Sequence, residues 1–532
     1  MMRAFTMTTG QSFRRFAATA IAAALLSSVS AYAADLNLAY SSSATSMDPQ
    51  FQNASQNIAV SRNMFETLTQ MDPDSRIIPG LAESWKKVDD VTWEFKLRAA
   101  KFQDGSDLTA EDVAWSLKRP NTIENSPSSF AIYTRSVIKT EIVDAHTIRL
   151  ITAKPYPLLP ADLTSVFIVS KKASEGITSD KFATPEHMIG TGPYKFVSYT
   201  PDDRVVMKRF DGYWGGKPDW DNVTIRFMPN DGSRMTALLS GDVNAIENVP
   251  TPDIQKIKSN PDFVYAAKKT HRLIFLFLDS GRDKSPGVSS NDGSPLEKNP
   301  LTDVRVRRAI NMAIDRKAIS ERLMMGLAYP TNNLATDQMM GFDPALENIP
   351  VDQAGAKKLL AEAGYPNGFH LVLGTPNNRL LNDERVAQAI AQMLTRVGIH
   401  TDVDAVPFSA INTRGNKGEF SAVMMGWGVQ TAEASSGIRM MVACPDKERG
   451  WGAVNWSHYC SPKLTEQLVA LTSEMDDAKR NEMLKAAVHT VINDMPIVPL
   501  YFQGMTWAAR KGITIIPRMD ERTSAFTFKP AQ

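Results

Sequence analysis

The sequence predicts an α/β protein built from more than one lobe, and three observations carry that expectation. First, 532 residues with 43% hydrophobic content are enough for two or three packed lobes rather than one core. Second, period-two strand patterns joined by tight turns dominate the chain before Ser233. Third, helix and strand patterns alternate from Ser233 onward, as they do in α/β lobes. No repeat of fixed period and no low-complexity tract interrupts this order.

The amino terminus reads as an export signal. Arg14 and Arg15 give a positive start, residues 16–30 are apolar or small, and Ala31-Tyr32-Ala33 offers a small-x-small cleavage site. The mature chain is therefore expected to begin near Ala34. The apolar stretch is short and alanine-rich beside the roughly 20 strongly apolar residues of a membrane span. Phe16 directly after the arginine pair fits the twin-arginine pattern poorly, which favours the general secretory route. No cysteine stands at the cleavage point, so a soluble periplasmic protein is expected rather than a lipid-anchored one.

Residues 36–40 alternate as a strand and run into the polar loop of Ser41, Ser42 and Ser43, a setting that presents backbone groups to a ligand. Residues 91–98 alternate strictly and read as a half-buried antiparallel strand. Thr109, three residues before Asp112, starts a capped helix, and a hairpin is expected around Asp144-Ala145. Gly190-Thr191-Gly192-Pro193 reads as a turn feeding a strand at 194–199. A helix is stopped by Gly241, and a strand lies near 245–249. The strand at 273–278 opens a second α/β lobe, and 280–300, rich in Gly, Ser, Pro, Asp and Asn, reads as a surface excursion. Helices are expected at 303–314, 316–325, 353–363, 384–397, 463–473 and 478–492, with strands at 369–373, 399–406, 420–427 and 497–502.

Charge excludes some partners. The net charge is +1, and it falls to −2 once Arg3, Arg14 and Arg15 leave with the signal. A near-neutral chain without basic runs argues against nucleic acid, whose binding relies on neutralising phosphates. Cys444 and Cys460 are expected to pair in an oxidising compartment, where a bridge over such a loop contributes about 3 kcal/mol.

Several strings, in order, resemble the dipeptide, oligopeptide and nickel class (family 5) of bacterial extracellular solute-binding proteins: residues 80–119, 190–199, 209–223, 303–319 and 356–369. The resemblance covers nearly the whole mature chain. It implies a two-lobe periplasmic binding protein fold (type II, cluster C), with an extra antiparallel domain inserted in the first lobe. The division it implies is 1–33 as signal, 34–270 as lobe I with the insertion at about 52–185, 271–499 as lobe II, and 500–532 as a return to lobe I. Two crossing strands are expected near 271–278 and 499–506. The implied function is capture of a peptide or peptide-like solute in the interlobe cleft and delivery to inner-membrane ABC permease subunits, by a monomer without cofactor or metal. Arg305, Arg307 and Arg308 read as a solvated or ion-paired helix face.

Candidate ligand contacts come from strand ends that face such a cleft. They are Tyr40, Ser41, Ser42 and Ser43 in the first lobe, Asn377, Asn378 and Arg379 in the second, and Trp427, Gln430 and Glu433 in the segment 425–437. Tyr133 and Trp427 add apolar contact with a polar edge. Arg379 suits a carboxylate or phosphate, because its planar fork donates two parallel hydrogen bonds. Peptide binders of the family usually place an aspartate just after that tryptophan to pair the peptide amine. Here Gly428-Val429-Gln430 stands instead, with Glu433 as the nearest acid. Either Glu433 reaches a ligand amine or the solute lacks a standard one, which leaves glutathione, opine or sugar-phosphate conjugates and other zwitterions open. A metal chelate or haem is the alternative cargo, and a periplasmic chaperone or signalling partner a further reading.

Catalysis finds no support in the motifs: there is no G-x-S-x-G, H-E-x-x-H, phosphate loop or dinucleotide fingerprint, and the seven histidines are scattered.

Overall fold

The computed structural model describes residues 1–2, 34–347, 350–429, 431 and 433–531. The expected leader and Gln430 lie outside the described residues. No helix among the described residues is long and apolar enough to cross a membrane.

A single twelve-stranded mixed sheet runs through the molecule. In chain order its strands are β1 (Asp35–Tyr40), β2 (Tyr194–Thr200), β3 (Arg204–Arg209), β4 (Asn222–Phe227), β5 (Ala245–Glu247) and β6 (Phe263–Leu278). They continue with β7 (Val288–Ser289), β8 (Ala328–Pro330), β9 (Phe369–Pro376), β10 (Ile399–Val406), β11 (Ala422–Gly428) and β12 (Ile497–Arg510). The spatial order is β2-β3-β4-β1-β5-β12-β6-β11-β9-β7, with β8 added on β12 and β10 on β9. Pairs β1/β4, β1/β5, β9/β10 and β9/β11 are parallel, as crossover helices require.

The long antiparallel pair β6/β12 joins the two halves of this sheet. The second half of β6 is a continuous apolar run because both its faces are covered. Ile274, Leu276 and Leu278 pack under the helices Val304–Ala313, Gln353–Glu362 and Asp383–Arg396. Leu273, Phe275 and Phe277 pack under Ser435–Met441, Pro462–Leu471 and Asp477–Asp494 on the other face. The ladder shifts register twice: Leu500 is skipped between Ile274 and Phe275, and in the middle Lys269 pairs Gly504 and Leu273 pairs Phe502, so Thr270, His271 and Arg272 stand opposite Gln503 alone. Extra residues of this kind bend a strand and remove ladder hydrogen bonds where they occur.

A separate four-stranded antiparallel sheet, ordered Ala82–Lys87, Thr92–Leu97, Thr147–Thr152, Val137–Asp144, stands in the first half. The hairpin at Asp144-Ala145 and the capped helix Ala110–Lys118 are where the sequence puts them; Asp112 accepts the Thr109 N–H at 3.0 Å. The expected polar face of 92–97 differs, since Glu94 is buried by Lys86 and Arg149 at 3.0 and 2.8 Å.

The strand after Gly190-Thr191-Gly192-Pro193 is where the sequence puts it, and both glycines permit close approach, because a Cβ would lie 2.1 and 2.6 Å from the Met64 carbonyl group. Two expectations need correction. The excursion 280–300 contributes the edge strand β7, whose Val288 and Ser289 pair Leu371 and His370. Arg307 is buried rather than solvated. It donates to the carbonyls of Asp494, Met495 and Leu301 at 3.0, 3.1 and 2.7 Å, closing the carboxyl end of the helix Asp477–Asp494.

Candidate interlobe cavity

A cavity of about 880 Å³ lies between the two lobes. Its first-lobe wall comes from residues of the segment 53–162, including Tyr133, Arg135, Tyr156 and Asp162. Its floor is the waist itself, through Arg272, Phe275 and Phe277 of β6. The second-lobe wall is Arg379, Met425 to Gly428 at the end of β11, Arg439 and Met440 on the helix Ser435–Met441, and the segment 449–456.

The sequence-predicted residues divide sharply. Arg379, Trp427 and Tyr133 line the cavity. Trp427 sits near the end of strand β11 opposite Leu273, within the strand expected at 420–427. Tyr133 is buried, and its hydroxyl accepts from Asn53 at 3.1 Å. Tyr40 is a core residue; it is fully covered and its hydroxyl donates to the Thr523 carbonyl at 2.8 Å. Ser41 turns inward to Glu247, which accepts its N–H and hydroxyl at 3.1 Å, and none of Ser41, Ser42 and Ser43 lines the cavity. Asn377 and Asn378 are exposed outside it, Asn378 accepting the Phe408 N–H at 2.9 Å.

Glu433 does not line the cavity either. It is 2% exposed, its carboxylate is held by the Arg480 guanidinium at 3.2 Å, and it accepts the Ser435 hydroxyl. A carboxylate already paired inside the second lobe is not available to a ligand amine, and its partner lies too far along the chain for sequence inspection to find.

The cavity is strongly cationic. Among the described residues its lining has Arg135, Lys154, Arg272, Arg379, Arg439 and Arg449 against one carboxylate, Asp162. Two of the cations are neutralised locally: Arg272 by Glu521 at 2.5 Å, and Arg449 by Asp446. Gly428 makes room for the first of these, since a Cβ there would stand 3.2 Å from Arg272 Nη2. Arg379 lies over the Phe408 ring at 5.5 Å, and its guanidinium has no hydrogen-bond acceptor among the described residues. Arg379 is solvent-accessible, and repulsion from Arg272, opposed by Glu521, pulls its guanidinium down to about 10. An oxyanion between them would relieve that repulsion.

On the opposite wall Asp162 is buried, and one of its oxygens accepts the Tyr156 hydroxyl at 2.6 Å. Burial pushes this carboxyl up to about 7, against the opposing effects of the Tyr156 hydrogen bond, Arg439 and Arg135. Apolar area comes from Phe275, Phe277, Trp427, Trp451 and Trp456. The disulfide Cys444–Cys460, the expected pair, closes the segment that carries the cavity-lining Arg449, Trp451 and Trp456. Among the described residues no group of three or more His, Cys, Asp or Glu side chains is placed to hold a metal ion.

Comparison with known proteins agrees with this architecture. The profile of bacterial extracellular solute-binding proteins, family 5 middle, matches residues 76–449. The glutathione-binding protein GsiB of Escherichia coli K12 is 27% identical over 509 residues, 93% of this chain and 94% of that one. Among solved structures, the periplasmic binding protein AgaA in complex with agropinic acid, from A. tumefaciens R10, superposes with a TM-score of 0.75 at 26% identity, over 94% of this chain and 99% of that one. The ABC transporter-associated periplasmic binding protein DppA of Helicobacter pylori, in complex with the peptide STSA, has the same fold, with a TM-score of 0.75 at 22% identity over 94% and 98% of the two chains.

Proposed function

The chain belongs to the bacterial extracellular solute-binding proteins of family 5, and on that premise we propose that it captures a small acidic, peptide-like solute in the periplasm for an ABC importer. The observation that carries the acidic specificity is Arg379: a guanidinium facing the interlobe cavity with no acceptor of its own and a second guanidinium, Arg272, repelling it. A guanidinium without an acceptor of its own favours a carboxylate or phosphate, which accepts two parallel hydrogen bonds. Glutathione and agropinic acid, the solutes named for two relatives, are both carboxylic acids.

In this reading Arg379 and Arg439 hold solute anions, Trp427 and Tyr133 supply apolar contact, and the waist at Thr270 to Arg272 is the hinge. The signal at 1–33 is cleaved near Ala33, and the mature monomer has lobe I at 34–270 and 500–532 around lobe II at 271–499, with the insertion at about 52–185. The protein performs no catalysis; it presents its closed form to the permease. Shifting a 1:99 population of closed and open forms to 99:1 takes about 5.5 kcal/mol of differential affinity, which contacts from both lobes to one solute can provide.

Native mass spectrometry of freshly purified mature protein, followed by calorimetry with the solute it releases, tests this. An acidic solute of a few hundred daltons whose binding compacts the scattering profile is the expected result. A neutral or purely basic cargo, or a profile that never changes, overturns it.

A further inference from the structure

We propose that Asp162 is a subsite for an ammonium on the captured solute, so that the cargo is a zwitterion held with its amine toward the first lobe and its acid groups toward Arg379 and Arg439. This rests on the solute-capture reading above and specifies its substrate class. Three observations point the same way. Asp162 is the one carboxylate in the cavity lining among the described residues. It is 4% exposed, which makes an unpaired negative charge there costly. Its hydrogen bonding is also incomplete: one oxygen accepts from Tyr156, and no donor reaches the other among the described residues. Arg439 and Arg135 act on it through space without donating to it, and the charge of Glu433 opposes them.

Among the described residues the second-lobe wall adds no carboxylate to the cavity lining, and Glu433 is held by Arg480. An ammonium entering beside Asp162 would give the buried carboxylate its missing partner while Arg379 across the cavity and Arg439 beside Tyr156 receive the acid groups. This arrangement selects one orientation of an amino acid derivative and discriminates against the same molecule with its amine blocked. The pH dependence follows from the high-lying carboxyl near 7. The pairing needs Asp162 ionised, so the preference for a free amine is full above that value and fades as pH falls through it.

The test is calorimetry on the mature protein with glutathione, N-acetylglutathione and the amine-free triacid tricarballylate. Wild-type protein is expected to bind glutathione about tenfold or more tightly than its N-acetyl form. Asp162→Asn keeps an acceptor for the Tyr156 hydroxyl and is expected to erase that difference while holding the acetylated form and the triacid as before. Tyr156→Phe, which keeps the carboxylate, is expected to retain the preference; circular dichroism checks the fold of both variants. Equal binding of free and blocked amines by wild type, or an unchanged preference in Asp162→Asn, overturns the subsite but leaves acidic solute capture standing. Failure of all three probes to bind overturns both.

Discussion

Arg272 on the crossing strand β6 clasps Glu521 from the carboxy-terminal segment, its Nε standing 2.9 and 3.0 Å from the two carboxylate oxygens and its Nη2 2.5 Å from one of them. Glu521 also accepts the Thr270 hydroxyl at 3.0 Å, so one side chain ties two of the three residues that fall out of register with β12. Burial pushes the Glu521 carboxyl up, but Arg272 outweighs it and holds the group below the usual carboxylate range, which places its stabilising contribution above that range and its loss in acid. Glu521→Gln is expected to lower stability by about 3 kcal/mol, since one partner of a largely buried pair is left alone. It should also tighten binding of an acidic solute by leaving Arg272 unneutralised. Urea unfolding and calorimetry read the two opposite changes.

Arg379→Ala is expected to separate binding from folding. The guanidinium donates no hydrogen bond among the described residues and is repelled by Arg272, so its loss should leave the urea midpoint unchanged or slightly higher. Affinity for the acidic solute should fall about tenfold or more, the usual worth of a charge-assisted contact. A matched loss of stability and affinity would instead assign Arg379 a packing role.

Reduction of Cys444–Cys460, or replacement of both by serine, releases a loop whose ends are 16 residues apart. Stability should fall by about 3 kcal/mol as the unfolded chain regains loop entropy. Because the same segment presents Arg449, Trp451 and Trp456 to the cavity, solute affinity should fall as well under conditions where circular dichroism reports an intact fold. An unaltered dissociation constant would confine the bridge to stability.

His271 sits in the waist with its Nδ1 2.8 Å from the Thr336 hydroxyl and, among the described residues, no partner on its buried Nε2. Burial pulls its pKa down to about 4, so the folded protein carries it neutral while the unfolded chain protonates it near 6.5. The unfolded state therefore binds more protons between those values, and stability falls as pH drops from about 6.5 to 4. His271→Gln should flatten this part of the pH profile in urea titrations. A slope identical to wild type would remove His271 as its source.

Much of the fold is legible in the sequence because long-range order leaves local marks. The run Leu273 to Leu278 announces a strand covered on both faces, and Gly364 and Gly398 close helices whose apolar spacing is regular. The first half of β6 escapes, since Lys268, Lys269 and Thr270 interrupt any period where the strand passes the waist. Helix Ser435–Met441 escapes too, hidden by its Ser-Ser-Gly opening. The cavity is legible at Arg379 and Trp427, near strand ends, and at Tyr133, an aromatic with a polar edge. Asp162 and Arg439 carry no local signature, because their meaning comes from a burial and a cross-cavity field that only folding creates. The same physics misleads at Glu433 and Arg307, whose partners Arg480 and Asp494 lie 47 and 187 positions away.

The side-by-side placement of β6 and β12 limits how the molecule can swing. Two neighbouring strands sharing a ladder act as a door leaf's pin and sleeve: turning across the ladder is soft at the break opposite Gln503, whereas sideways shear or swivel strains hydrogen bonds on either flank. Each closing stroke then returns the same wall to the same wall. A cargo is judged by a fixed mould, and a few side chains suffice to reject a near relative.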